Sequence, residues 1–112
     1  MSKELLIHWT TDNYDTAMNM VLLYAYNSKK IGLWDETTLM IWGASQNLVR
    51  DNEAISTKVK SLSEVGVRVM ACYKCADAQG TRDALEACDI EVFSTGEFLT
   101  EWIQSGKPLL TI

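Results

Sequence analysis

Five short apolar runs, separated by stretches patterned for helix, alternate along the chain, and this alternation restricts the fold more than any other feature. Leu5, Leu6 and Ile7 are consecutive apolar residues in a run at 4–9 that closes on His8 and Trp9. A run without polar alternation suits a strand buried on both faces, the condition met in parallel sheets. Comparable runs fall at 38–42, 67–71, 90–93 and 109–112. Strands separated by helices predict an α/β fold: a three-layer α/β/α sandwich of flavodoxin-like appearance. Its five-stranded sheet is mostly parallel, with right-handed crossovers.

The intervening segments carry helix signals. Thr10-Thr11-Asp12-Asn13 offers N-caps for a helix to about Ile31, with Gly32 as its stop. Residues 44–65 read as helix, broken near Asp51-Asn52, with Ile55, Val59 and Leu62 at helical spacing and Gly66 as terminator. A short helix or turn follows Cys72, and another helix spans 81–88. Ser94 and Glu97 have capping-box spacing for a helix through Gln104, which Gly106 ends. Without repeats or linkers, the 112 residues form one domain, 1–112, able to bury roughly 65% of its unfolded surface.

Composition narrows function. A net charge of −5 without a basic stripe argues against nucleic acid and anionic membranes as partners. The longest apolar run, 17–25, is interrupted by Asn19 and too short to cross a bilayer. Met1-Ser2-Lys3-Glu4 leads directly into the first strand with no signal-peptide pattern. Three cysteines, an odd number, then read as free thiols in a reducing cytoplasm. From Ala17 to Tyr26 only Asn19 is polar, more apolar surface than one helix needs against a sheet. Its outer face is expected to meet another subunit in a homo-oligomer, although a helix sunk deep in the domain has the same pattern.

The chemistry concentrates at Gly66-Val67-Arg68-Val69-Met70-Ala71-Cys72. The strand delivers Cys72 to the start of a helix, where unpaired backbone N–H groups and the positive end of the helix dipole favour thiolate. Lys74 adds a nearby cation. A free cysteine at a strand end can also be a small buried hydrophobe, but the junction favours a reactive one. Cys75 completes a C-x-x-C, either as a resolving thiol or as packing. Zinc lacks a second ligand pair, so no metal is expected, and Thr10-Thr11-Asp12-Asn13 lacks a G-x-G phosphate loop, so no cofactor is expected either. Cys88 and His8 read as core residues. In an α/β sheet, ligands bind at the carboxyl ends of strands. The binding residues are therefore assigned to Tyr73 and Lys74 beside the thiol and to the strand ends Trp9, Thr10, Trp42 and Gly43, with the two tryptophans walling an apolar pocket or capping the core.

The chain resembles the DsrE/DsrF-like family of small sulfur-relay proteins over essentially its whole length. The likeness rests on the opening strand and apolar helix, the strand from Gly66 to Cys72, Gly80 eight residues later, and the ending from Thr95-Gly96-Glu97-Phe98 to Ile112. It implies strand order 4-3-2-1-5 and a homotrimer or hexamer. It also implies a cysteine at the position of Cys72 that takes sulfane sulfur as a persulfide and passes it on, with sulfur donor and acceptor proteins or small persulfides as partners. Cys75 belongs to only part of the family. In this reading Cys72 thiolate attacks the outer sulfur of a donor persulfide, and N–H groups from Tyr73 to Cys75 stabilise the anion. A dithiol–disulfide oxidoreductase using Cys72 and Cys75, and a non-catalytic oligomeric ligand-binding protein, are the alternatives.

Overall fold

Consecutive parallel strands must be joined by crossovers, and the direction in which they advance decides which face of the sheet each helix covers. The computed structural model describes residues 3–112; Met1 and Ser2, the start of the expected lead into the first strand, lie outside the described residues. The order is β1 (Glu4–Trp9), α1 (Tyr14–Thr16), a π turn (Ala17–Val21), α2 (Leu22–Lys30), β2 (Glu36–Ile41), α3 (Ala44–Asp51), α4 (Glu53–Glu64), β3 (Arg68–Cys72), α5 (Tyr73–Gln79), α6 (Arg82–Glu86), β4 (Glu91–Phe93), α7 (Thr95–Ser105) and β5 (Leu109–Thr111). The sheet runs β4-β3-β2-β1-β5 with every pairing parallel. This is the α/β architecture read from the alternation.

From β1 to β4 the chain steps the same way three times, so right-handed crossovers stack α1 to α6 on one face. The step from β4 back past β1 to β5 is reversed, which leaves α7 alone on the other. The two cores follow this division. Leu5, Ile7, Trp9, Leu39, Ile41, Val69 and Ala71 point into the larger one, against Val21, Ile55, Val59 and Leu62. Leu6, Met40 and Met70 form the smaller one with Trp102 of α7, flanked by Trp42, Phe93, Phe98 and Leu99. Burying each of the larger aliphatic side chains stabilises the fold by about 1.5–3 kcal/mol.

Several boundaries differ from expectation for physical reasons. β2 starts at Glu36 and stops before Trp42, because Thr37 and Thr38 pair with Leu5 and Leu6 and extend the strand backward. The buried Thr37 hydroxyl is satisfied by Ser28 Oγ at 2.8 Å. β3 reaches Cys72 rather than stopping at Ala71, since Cys72 pairs with Phe93. The expected single helix after β1 is capped by Asn13, whose Oδ1 accepts from the Thr16 N–H at 2.9 Å, but contains the π turn. Beyond it Met20 and Leu23 remain 44% and 49% exposed. Asn52 caps α4 at the expected break, accepting from the Ile55 N–H at 3.1 Å. The capping box does not form: Ser94 sits at φ −75°, ψ 87° and makes no side-chain cap bond. Among the described residues, no helix is long and apolar enough to cross a membrane.

Candidate thiol site

Cys72 is the last residue of β3 and the N-cap position of α5, at φ −73°, ψ 123°. Val69 and Ala71 point into the larger core, so alternation turns Met70 and Cys72 toward the face carrying α7. The strand end is held from behind. Fully buried Gln46 donates from Nε2 to the carbonyls of Ile41 (3.2 Å) and Cys72 (3.1 Å), while its Oε1 accepts from Thr81 Oγ1 at 3.1 Å. Ser45 Oγ lies 2.8 Å from the Trp9 carbonyl and 2.9 Å from that of Trp42. These two side chains from the first turn of α3 tie together the ends of β1, β2 and β3.

Two opposing effects act on the Cys72 sulfur. Burial, at 6% residue exposure, pushes the thiol up. The Cys75 N–H, the Thr95 hydroxyl, the Lys74 N–H and the Cys75 thiol all favour the anion, and together they win: Cys72 lies below the usual thiol value. Helix α5 has only seven residues, so these local donors, more than a long helix dipole, supply the stabilisation. The Thr95 hydroxyl makes no hydrogen bond of good resting geometry and is fully buried. A rotatable O–H with no other partner turns to the acceptor that strengthens, and ionisation of Cys72 creates one.

Cys75, half-buried, is the mirror of its neighbour. Burial raises it, and the Cys72 charge and the hydrogen bond it gives to Cys72 raise it further, against donation from the Gly43 N–H and the Trp42 indole N–H. Cys75 therefore holds its proton more tightly than an ordinary thiol. Gly43 sits at φ +67°, ψ −135°, a conformation strained for any residue with a Cβ. Trp42 is fixed from its other side by the His8 ring, edge to face at 5.3 Å between centroids. His8 Nδ1 lies 3.4 Å from Thr111 Oγ1, while its buried Nε2 has no partner.

The assigned residues do not all converge. Cys72, Cys75, Trp42 and Gly43 come together. Trp9 does not: it is fully buried in the larger core on the opposite face of the sheet. It cannot wall the thiol, because Trp9 follows the phase of Leu5 and Ile7, whereas Trp42 follows that of Met40. Thr10 has its donors taken, with N–H and Oγ1 on the Ile112 carbonyl at 2.7 and 3.0 Å. That contact ties the chain leaving β1 to the residue after β5, its paired neighbour where the strand order reverses. Lys74 is exposed and serves Cys72 through its N–H, and Tyr73 is half-buried beside the pair.

The expected apolar pocket is absent from the main cavities. One of about 650 Å³ lies at the amino ends of the strands, between Glu4, Glu36, Arg68 and Lys107. Two others, about 660 and 450 Å³, lie against α4 and the start of α7. Neither cysteine lines any of them, and Cys75 is the more open of the pair. Cys88 is buried in the larger core, away from this face.

Sequence reasoning missed Thr95 and Gln46. Thr95 arrives because β4 pairs in register with β3, Cys72 opposite Phe93, and the chain leaving β4 passes over the thiol. No local pattern announces that. Gln46, a fully buried amide one turn into a helix, could have been flagged only by its place in the helix's apolar phase.

No family model and no curated protein matches the chain. Among solved structures, it is similar to ychN from E. coli, at 18% identity over 100% of both chains with TM-score 0.70. It is also similar to MTH1491 from Methanobacterium thermoautotrophicum, a protein of unknown function, at 20% identity over 98% of this chain and 99% of that one, TM-score 0.71. These two share its fold. A conserved protein of unknown function, BT1422 from Bacteroides thetaiotaomicron, is 35% identical over 98% of this chain and 95% of that one, with TM-score 0.96. With more than a third of its residues matched along nearly its whole length, the chain belongs to the family of BT1422.

Proposed function

We propose that this protein is a sulfur carrier of the DsrE/DsrF-like kind that holds sulfane sulfur as a persulfide on Cys72. The observation that carries the reading is the donor set at Cys72. A buried thiol ordinarily becomes less acidic, yet the Cys75 and Lys74 N–H groups, the Thr95 hydroxyl and the Cys75 thiol reverse that effect. Such donors stabilise a thiolate before transfer and a persulfide anion after it. The thiolate attacks the outer sulfur of a donor persulfide; the donor leaves as thiolate and Cys72 gains one sulfur. An acceptor thiolate then attacks that outer sulfur and restores Cys72. Donor and acceptor are thiol-bearing proteins or small persulfides.

A second reading, dithiol–disulfide exchange, is favoured by the C-x-x-C spacing, which places Cys75 in the first turn of the helix that Cys72 opens. The exposed Met20, Leu23, Tyr24, Ile31 and Leu33 along and beyond α2 support a homo-oligomer as the working form. Free thiols suit a reducing cytoplasm. The test is thiol-specific mass spectrometry after incubation with inorganic polysulfide. The carrier gains one sulfur on Cys72 and Cys72→Ser gains none; loss of two hydrogens instead identifies the dithiol reading. Equal sulfur uptake by Cys72→Ser refutes the assignment.

A further inference from the structure

Cys72 stands one residue beyond the ladder between β2 and β3, whose last pair is Ile41 with Ala71. On its other side it still pairs with Phe93 of β4. Toward β2 its main chain is held by a side chain instead of a strand. Gln46 donates from Nε2 to the Ile41 carbonyl at 3.2 Å and to the Cys72 carbonyl at 3.1 Å, so the amide stands where the next rung of the ladder would be. Its Oε1 accepts from Thr81 Oγ1 at 3.1 Å, and the Thr81 N–H lies 2.9 Å from the Ala76 carbonyl of α5. The amide cannot be turned over, because its oxygen would then face two carbonyl oxygens. One turn further along α3, Arg50 donates from Nη1 to the Gln79 carbonyl at 2.7 Å. The segment that follows Cys72 is thus gripped at both ends by α3, and it needs to be: α5 has seven residues, too few for a helix that stands by itself. Gln46 and Thr81 are fully buried. A satisfied buried amide adds little net stability over hydrocarbon of the same shape, but it fixes the groups it joins. What Gln46 supplies is geometry.

We propose that Gln46 is a positioning residue for Cys72: by holding the Cys72 carbonyl it sets the peptide that follows the cysteine, and with it the surroundings of the sulfur. This rests on Cys72 being the reactive thiol of the carrier. The carbonyl and the sulfur belong to one residue. Rotation about its Cα–C bond, which the Gln46 bond resists, would carry the carbonyl and the start of α5 together past Sγ. Interactions with a charged sulfur weaken steeply with distance and angle. A small rotation therefore changes how readily the thiol ionises and how well an anion is held there.

The test follows alkylation of Cys72 by iodoacetamide against pH, resolved by peptide, in full-length wild type, Gln46→Met and Gln46→Glu. Methionine keeps the unbranched chain and removes the amide. Glutamic acid, buried between two carbonyls, stays protonated and keeps one donor. In Gln46→Met the Cys72 profile is expected to move up by about half a pH unit to one unit, with the rate at pH 7 falling about threefold to tenfold. Gln46→Glu should recover part of that loss. A profile that superimposes on wild type overturns the proposal. So does an equal shift in Val59→Ala, which loosens the larger core without touching the site.

Should Gln46→Met fail to fold, Thr81→Val decides, since it removes only the hydroxyl bonded to Gln46 Oε1. Its Cys72 profile must move in the same direction by a smaller amount, and an unmoved profile overturns the role of Gln46. Sulfur loading is read separately, with inorganic polysulfide. Cys72 should gain its sulfur more slowly in Gln46→Met, and loading at the wild-type rate counts against the proposal. A wild-type chain that gains no sulfur refutes the carrier reading, while the alkylation profiles still judge Gln46.

Discussion

Replacing Thr95 by valine separates chemistry from stability, because the two effects have opposite signs. The change removes one hydroxyl and keeps the branched shape of a fully buried side chain. A hydrogen bond to a charged group contributes about 1.5–3 kcal/mol. The lower end applies, since the hydroxyl is not aligned at rest, and about 1.4 kcal/mol is a factor of ten in an ionisation equilibrium. Alkylation of Cys72 at neutral pH should therefore slow about tenfold. The folded state moves the other way. A hydroxyl buried without a partner costs about 1–3 kcal/mol in protein mutational series. Valine should stabilise the resting protein by about 1 kcal/mol, which raises Tm by roughly 4–8 °C in a domain of this size. The assays are iodoacetamide kinetics resolved by peptide and urea unfolding in acid solution, which favours the neutral thiol. A variant that is clearly less stable and alkylates at the wild-type rate would refute the reasoning, because the hydroxyl would then have a structural partner and no part in the thiolate.

Burial holds His8 below its ordinary value near 6.5, so on acidification the unfolded chain takes up the proton before the folded one. The stabilisation from neutral His8 is full above that value and is lost as pH falls from it toward the lower folded pKa. In urea unfolding at pH 7.5 and pH 5, His8→Phe should lose less stability between the two than the wild type; parallel losses would exclude His8 as the source. Leu23, 49% exposed, belongs to the apolar surface proposed to meet another copy. Leu23→Glu should weaken association at least about tenfold in sedimentation velocity, the effect of one desolvated charge. A wild-type chain that is monomeric at tens of micromolar would end the oligomer proposal.

The layered α/β architecture was legible because local patterns carry it. Consecutive apolar residues in β1 require burial on both faces, and glycines and asparagines mark where helices end and begin. Gly80 and Gly106 adopt positive φ at helix C-caps, and Asn52 caps α4. Boundaries set by pairing were less legible, as in β2, where threonines extend the strand because their partners on β1 are in register.

The site was legible only in part. Cys72 stands at a strand–helix junction whatever the rest of the chain does, since sequence neighbours make that junction, and the C-x-x-C spacing brings Cys75 to it. The residues that tune the pair come from elsewhere. Thr95 arrives through the β3–β4 register, Trp42 and Gly43 through the adjacency of β2 and β3, and Trp9 is excluded because the phase of β1 sends it to the opposite face. Periodicity along one strand says which residues share a face, but not which face, nor which strand lies beside it. Local sequence thus determined where a thiol meets a helix start. Strand order and register decided which hydrogen-bond donors reach that sulfur, and those donors decide its charge, because electrostatic stabilisation falls away over a few ångströms and only packing sets such distances.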